Sequence, residues 1–119
     1  MKIEWTEPSI SDLQHIRDYI AKDSEYFAAW FIEKIIYRID LLPGFPKMGR
    51  VVIEANDEAI RELIYQKYRI MYRVEKGRIL ILTIIHGSRD LSIIETKPWE
   101  IIWFALTNSY QQIKLLQPF

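Results

Sequence analysis

The stretch from Ile60 to Leu91, IRELIYQKYRIMYRVEKGRILILTIIHGSRDL, constrains the fold more than any other part of the chain. Tyr68, Ile70, Tyr72 and Val74 alternate with Arg69, Met71, Arg73 and Glu75. That period of two gives a strand with an apolar face and a basic face. Glu75-Lys76-Gly77-Arg78 reads as a turn, with Gly77 free to take a positive φ. Arg78 to Ile85 (RILILTII) is apolar on both faces and suits a central strand covered on both sides. Upstream, Ile60 to Tyr65 reads as a third strand, joined to the next by Gln66-Lys67. Links this short exclude a crossover, so the strands form an antiparallel meander.

The segments before the meander read as helices. Lys2 to Thr6 is a short strand that Pro8 stops. Ser11 is the expected N-cap of a first helix, with Gln14 in the capping-box position and Ser9 as the rival cap. Ile10, Leu13, Ile16 and Ile20 recur at helical spacing, while Asp12, Arg17 and Asp18 fall outside that stripe. Asp23 or Ser24 caps a second helix. Phe27, Phe31, Ile35, Ile39 and Leu42 form its stripe, widened by Ala28, Ile32 and Ile36. Pro43-Gly44 ends it. Two helices so closely linked form an antiparallel hairpin whose apolar stripes pack on the sheet. Val51 to Ile53 reads as a brief edge strand. The fold class is therefore α+β: an N-terminal strand and an α-helical hairpin packed on a curved antiparallel sheet.

At 119 residues, the length suggests one domain with a modest core. The chain contains no cysteine, which excludes a disulfide framework and a thiolate zinc site. No run is long enough to span a membrane, and the N-terminus lacks a signal-peptide apolar region, so the expected location is the cytoplasm. Net charge is zero but unevenly spread. Met1 to Leu42 carries five Lys/Arg against eight Asp/Glu, and Arg61 to Arg89 carries seven against two. The basic sheet segment reads either as a solvated polar face or as a surface for a polyanion or an acidic partner. Gly-rich phosphate loops, metal-spaced carboxylates and a Ser-His-Asp signature are absent from the sequence, so no metal or cofactor is expected.

Seven pieces, taken together and in order, carry a family resemblance. They are Trp5-Thr6; Asp12-Leu13 with Ile16 and Tyr19-Ile20; Leu42 with Phe45-Pro46 and Gly49-Arg50; Ile60-Arg61-Glu62-Leu63; Tyr68-Arg69-Ile70-Met71; Tyr72-Arg73-Val74; and Ile85-His86-Gly87-Ser88-Arg89-Asp90-Leu91. The chain resembles the RelE/ParE superfamily of toxins from type II toxin–antitoxin modules, nearest the ParE-like, plasmid-stabilisation branch. The resemblance implies a toxin domain over residues 1–100, with residues 101–119 an extension of it. It also implies a cognate antitoxin partner whose C-terminal segment wraps the toxin, and a cytoplasmic target. That target is either DNA gyrase, poisoned by binding, or the ribosome, on which mRNA is cleaved.

RNA cleavage beside a 2′-hydroxyl needs a base, cations for the pentacoordinate phosphate and an acid for the leaving oxygen. The candidates are His86, Arg89 and Arg69; the last two stand where the endonuclease branch carries phosphate-binding arginines, whose planar forks suit phosphate oxygens. That branch also carries a tyrosine or histidine about where Ile93 to Glu95 lie, and here Ser92, Ile93, Ile94 and Glu95 offer neither. The alternative role for His86 is to order the strand-end turn to Arg89, and for Arg61 to pair with an acid or support the Phe45–Arg50 loop. Arg61, Arg69, Arg73 and Arg89 are then a binding surface for the target or antitoxin. Tyr68 and Tyr72 are expected in the core and His15 on the surface.

Beyond Glu100 the run Ile101-Ile102-Trp103-Phe104-Ala105-Leu106 is wholly apolar. Three fates compete for it: docking in the groove an antitoxin would fill, a homodimer contact, or packing as an ordinary extension. Tyr110 to Leu116 reads as a short helix.

Overall fold

A computed structural model describes residues 1–100. Strand β1 (Lys2–Trp5) leads into helices α1 (Glu7–Ala21) and α2 (Glu25–Asp40), followed by strands β2 (Arg50–Val51), β3 (Ile60–Tyr65), β4 (Tyr68–Glu75) and β5 (Arg78–His86). The strands form one sheet in the order β1-β5-β4-β3-β2. The meander β3-β4-β5 is antiparallel, with Gly77 at φ +80° in its second turn. The first turn places Gln66 at φ +54°.

The N-terminal strand does not merely pack on an antiparallel sheet. It joins the sheet, parallel to β5, with Ile3 opposite Ile79 and Trp5 opposite Ile81. The intervening hairpin and meander supply the long connection that a parallel pair requires.

The start of α1 also differs from expectation. Its N-cap is Thr6, whose hydroxyl accepts from the Ser9 N–H at 3.3 Å, and Ser9 and Ser11 lie inside the helix. Pro8 sits in the first turn, where its missing N–H costs nothing and its fixed φ favours helix, so it opens α1 rather than ending β1 with a loop. Of the two candidates for the second cap, Ser24 is the one used: its hydroxyl accepts from the Phe27 N–H at 3.0 Å. The brief edge strand is Arg50–Val51, which starts one residue and ends two residues earlier than expected, and Ile53–Ala55 is a 3₁₀ turn.

Both sheet faces are covered. The hairpin side buries Ile10, Leu13, Ile32, Ile35 and Ile39 against Ile70, Tyr72, Ile79 and Ile81. Phe27 heads the expected α2 stripe but is about half exposed, stacked on Trp30 with ring centroids 5.7 Å apart. On the opposite face Val52, Ile60, Met71, Leu80, Leu82 and Ile85 bury against Leu91, with Ile94 and Trp99 packed over them. Met71, which alternation places on the basic face, is therefore fully buried.

A bulge at Leu82 lets β5 serve both layers. Met71 pairs with Thr83 and Tyr72 with Ile81, so Leu82 has no opposite number. The extra residue shifts the alternation, so Ile84 joins Ile79 and Ile81 beneath the helices while Ile85 joins Leu80 and Leu82.

The expected docking or dimerisation of the apolar run after Glu100, and the Tyr110–Leu116 helix, concern positions outside the described residues.

Candidate functional site: the basic sheet face and the strand-end turn

The arginines of β3 and β4 do not form one open cationic platform. Arg69 is engaged on both edges of its guanidinium. Its Nε and Nη2 donate to Glu62 at 2.9 and 2.6 Å, and its Nη1 and Nη2 donate to the two Glu54 oxygens at 3.0 and 3.1 Å. The Glu62 side chain is only 1 % exposed and also takes the Arg50 Nη2 at 3.3 Å. Its hydrogen bonds to Glu62 come first among the causes that push the Arg69 pKa upward, so its charge is locked in. The Arg69 hydrogen bonds in turn hold Glu54 below the ordinary carboxylate value.

The other arginines are also engaged. Arg73 donates its Nε to Glu75 at 2.6 Å and its Nη1 to the Trp99 carbonyl at 3.2 Å. Arg78 bridges Glu75 and Glu4. Burial opposes ionisation of Glu75, but the hydrogen bonds from Arg78 and Arg73 outweigh it and lower its pKa. Arg61 donates to the Gly49 carbonyl at 2.9 Å, so the supporting role for the Phe45–Arg50 loop is the one realised. Tyr72 closes the same loop: its hydroxyl accepts from the Gly49 N–H at 2.9 Å and donates to the Pro46 carbonyl at 2.8 Å.

His86, the last residue of β5, and Arg89, in the turn that follows, are both exposed. The Ser88 N–H donates to His86 Nδ1 at 3.2 Å, and the Ser88 hydroxyl lies 2.7 Å from the same nitrogen. An accepting Nδ1 places the neutral ring's proton on Nε2. Tyr68 meets the imidazole edge-on, with centroids 5.7 Å apart. The Gly87 N–H donates to the Lys67 carbonyl and the Arg89 N–H to the His86 carbonyl, at 2.7 and 3.0 Å. His86 therefore orders a turn that presents Arg89. His15 is exposed on α1, as expected.

Asp12 went unassigned in the sequence, yet it builds the floor beside Arg89. Where β1 ends, the outer edge of β5 loses its strand partner, and α1 replaces it. The Thr6 N–H and hydroxyl both donate to the Ile81 carbonyl, at 3.2 and 2.8 Å. Asp12 Oδ2 accepts from the Ile84 N–H at 3.0 Å and from the Thr83 hydroxyl. These bonds satisfy backbone groups that would otherwise be orphaned at the edge. Asp12, Thr83, Arg89 and Ile94 line a cavity of about 340 Å³. The sequence signal was available: a lone carboxylate just off the apolar stripe of a helix that packs on a sheet edge.

Burial pushes the Asp12 pKa above its ordinary 3.8, against the hydrogen bonds from Thr83 and Ile84 and the charges of Arg89 and His15. A carboxyl whose pKa is raised on folding contributes stability that is fully present below 3.8 and is lost as pH rises through the native value. Asp12→Asn removes that slope, so chemical melts across the acid range show the variant gaining on the parent as pH rises. Asp12→Ala leaves the Ile84 N–H without its acceptor and costs about 2 kcal/mol.

Arg69 and Arg73 lie on β4, Arg61 on neighbouring β3, and Arg89 beyond the end of β5. Sequence reasoning placed Arg61, Arg69, Arg73 and Arg89 on one recognition surface. The structure sets Arg89 in the open turn with His86, gives Arg61 to a loop, and engages Arg69 and Arg73 with glutamates. Among the described residues no cluster of His, Cys, Asp or Glu could hold a metal ion. No helix among them is long and apolar enough to cross a membrane.

A helical hairpin on a twisted sheet, with a histidine–arginine turn at the end of its last strand, defines a class of small α+β proteins rather than one activity. The comparisons narrow that class. The sequence model of the family described as ParE toxin of type II toxin-antitoxin system, parDE, matches residues 3–91. Toxin RelE2 of Caulobacter vibrioides is 32% identical over 89 residues, 74% of this chain and 97% of that protein. The putative toxin Y4kP of Sinorhizobium fredii is 31% identical over 91 residues, 75% of this chain and 91% of its own. A solved structure titled Chromosomal ParDE TA system from P. aeruginosa aligns with TM-score 0.60 at 22% identity, covering 72% of this chain and 95% of that one, which supports the fold. The chain belongs to the ParE/RelE family and is the toxin of a type II toxin–antitoxin system.

Proposed function

We propose that this toxin arrests growth by binding and poisoning a macromolecular target in the cytoplasm, DNA gyrase by analogy with its family, and that a cognate antitoxin neutralises it. The observation that carries this reading is the state of Arg69. A guanidinium held by two carboxylates has no edge left for a phosphate, so the cation best placed for RNA chemistry is already committed. Arg89 and Lys67 are exposed, as is Arg50 despite its contact with Glu62, and these cations suit a recognition surface.

A second reading, a ribosome-dependent mRNA endonuclease, is favoured by one observation: His86 and Arg89 are both exposed in one ordered turn. In that reading His86 is the base and Arg89 the phosphate ligand, with Arg69 in support.

Purified full-length chain distinguishes the two. It is added to a gyrase supercoiling reaction and, separately, to ribosomes translating a defined mRNA. Inhibited supercoiling with intact message is the expected result. Cleaved message with normal supercoiling overturns the proposal.

A further inference from the structure

Strand β1 ends opposite Ile81, and beyond it a cavity opens between α1, the last residues of β5 and the chain that follows them. Its volume is about 340 Å³, at the small end of the range for ligand pockets. Leu82, Ile85, Ile94 and Pro98 give it apolar walls, and Asp12 and Arg89 bring one charge of each sign.

Those two charges share the cavity without pairing. The Arg89 charge is felt at Asp12, but the two form no ion pair among the described residues. Asp12 Oδ2 accepts from the Thr83 hydroxyl and the Ile84 N–H, which fixes the carboxylate. Oδ1 accepts from no group among the described residues. Every buried polar side-chain atom among them has a partner, so an oxygen without one is open to solvent. The Arg89 guanidinium likewise makes no hydrogen bond or ion pair among the described residues, and its turn is held through the backbone. His15 acts on Asp12 from the same helix but does not line the cavity. The cavity beside Arg69, about 560 Å³, differs in this respect: there Glu54 and Arg69 already hold each other.

An unpaired acceptor and an unpaired donor fork in one small cavity select among ligands. A lone anion gains Arg89 but is repelled by Asp12, and a lone cation gains Asp12 but is repelled by Arg89. A molecule that carries an ammonium and a carboxylate a few atoms apart gives each protein charge its partner, through charge-assisted hydrogen bonds. The planar fork of Arg89 suits a carboxylate in particular. The apolar walls then take a short aliphatic body.

We infer that this cavity binds a small zwitterion, a free amino acid with an aliphatic side chain, its ammonium on Asp12 and its carboxylate on Arg89. The site needs only Asp12, Arg89 and the cavity walls, so it stands or falls separately from the target proposed above.

The test uses the full-length protein labelled with ¹⁵N and titrated with L-leucine through the millimolar range. The Ile84 amide is followed, because its N–H sits on Asp12. Two comparators each lack one charge of leucine: isoamylamine has no carboxylate, and 4-methylpentanoate has no ammonium. The expected result is saturable leucine binding that shifts the Ile84 amide, with each comparator about tenfold or more weaker. Asp12→Asn keeps an acceptor for Ile84 but loses the charge, and Arg89→Ala removes the fork. Each should weaken leucine by about tenfold or more, while Lys34→Ala, on the outer side of α2, leaves the affinity unchanged. The amide spectrum shows that each variant is folded. Arg89 lies in an exposed turn, so the test does not depend on the folding of Asp12→Asn. Absence of saturable leucine binding overturns the inference. So does a comparator that binds as tightly as leucine, or an affinity indifferent to Asp12→Asn or to Arg89→Ala.

Discussion

Glu62→Ala is expected to cost about 3 kcal/mol, because it strips a nearly buried guanidinium of its main partner. Arg69 is only 12% exposed, and the Glu62 side chain lies beneath it. Removing one member leaves a desolvated charge with Glu54 alone, and Glu54 reaches in from the solvent side. Arg69→Ala should cost a similar amount, since Glu62 then keeps only Arg50, whose arm is 70% exposed. Arg50→Ala should cost less than about 1 kcal/mol, as exposed pairs do. The double replacement Glu62→Leu with Arg69→Met removes both charges and should recover most of the loss. Urea melts at neutral pH measure all four, with the midpoint shifting and the slope unchanged. This set also bears on function. If Arg69 serves the fold rather than a phosphate, the stable double variant still arrests growth.

Gly49→Ala is the second large effect, again about 3 kcal/mol. The reason is space. A Cβ at residue 49 would stand 2.6 Å from the Glu62 carbonyl oxygen and 2.7 Å from the Tyr72 hydroxyl. Gly49 lies where the Phe45–Arg50 loop meets β3, and its N–H and carbonyl serve Tyr72 and Arg61. The added methyl must move backbone as well as a side chain. Tyr72→Phe alone leaves the buried Gly49 N–H without its acceptor and should cost about 2 kcal/mol. Combined, the two changes should cost less than their sum, because the phenylalanine removes one of the two clashes. Melting of the two single variants and the double variant measures the coupling directly.

Much of this fold was legible in the chain. The meander follows from alternation and short turns, and the hairpin from two apolar stripes and Ser24. Three features were not legible for a common reason: each depends on contacts between distant segments. The parallel seat of β1 depends on where the hairpin returns the chain. The Leu82 bulge is silent in a strand apolar on both faces, because period two cannot be read there. The burial of Met71 depends on Leu91 and Trp99 closing over the second face. Pro8 was misread because proline both ends strands and opens helices, and Thr6 before it settles which.

The site was legible in its residue types more than in their partners. Counting seven cations against two acids between Arg61 and Arg89 suggested an open basic face. Glu54 and Glu4, from outside that window, and Glu62 and Glu75, within it, neutralise its centre. The Glu62–Arg69 pair was within reach of sequence reasoning. Arg69 stands opposite Ile64, so Glu62 is its diagonal neighbour across the strands. His86 reads in the sequence either as a base or as the residue that orders the strand-end turn, and in the fold its Nδ1 accepts from the Ser88 N–H. Asp12 reads in the sequence as a polar residue off the stripe and as part of the family pattern, with no role of its own, since nothing local says that a strand edge lies beneath it.

Under the proposed function, the exposed turn of this toxin recognises a target rather than cleaving RNA. The most direct measurement is growth after induction of His86→Ala in a bacterial host lacking the antitoxin, alongside the parent chain. Retention of the parent's growth arrest, with cellular messages intact in both, is the predicted result. Loss of arrest in a folded His86→Ala protein, with messages cleaved by the parent and spared by the variant, would contradict it.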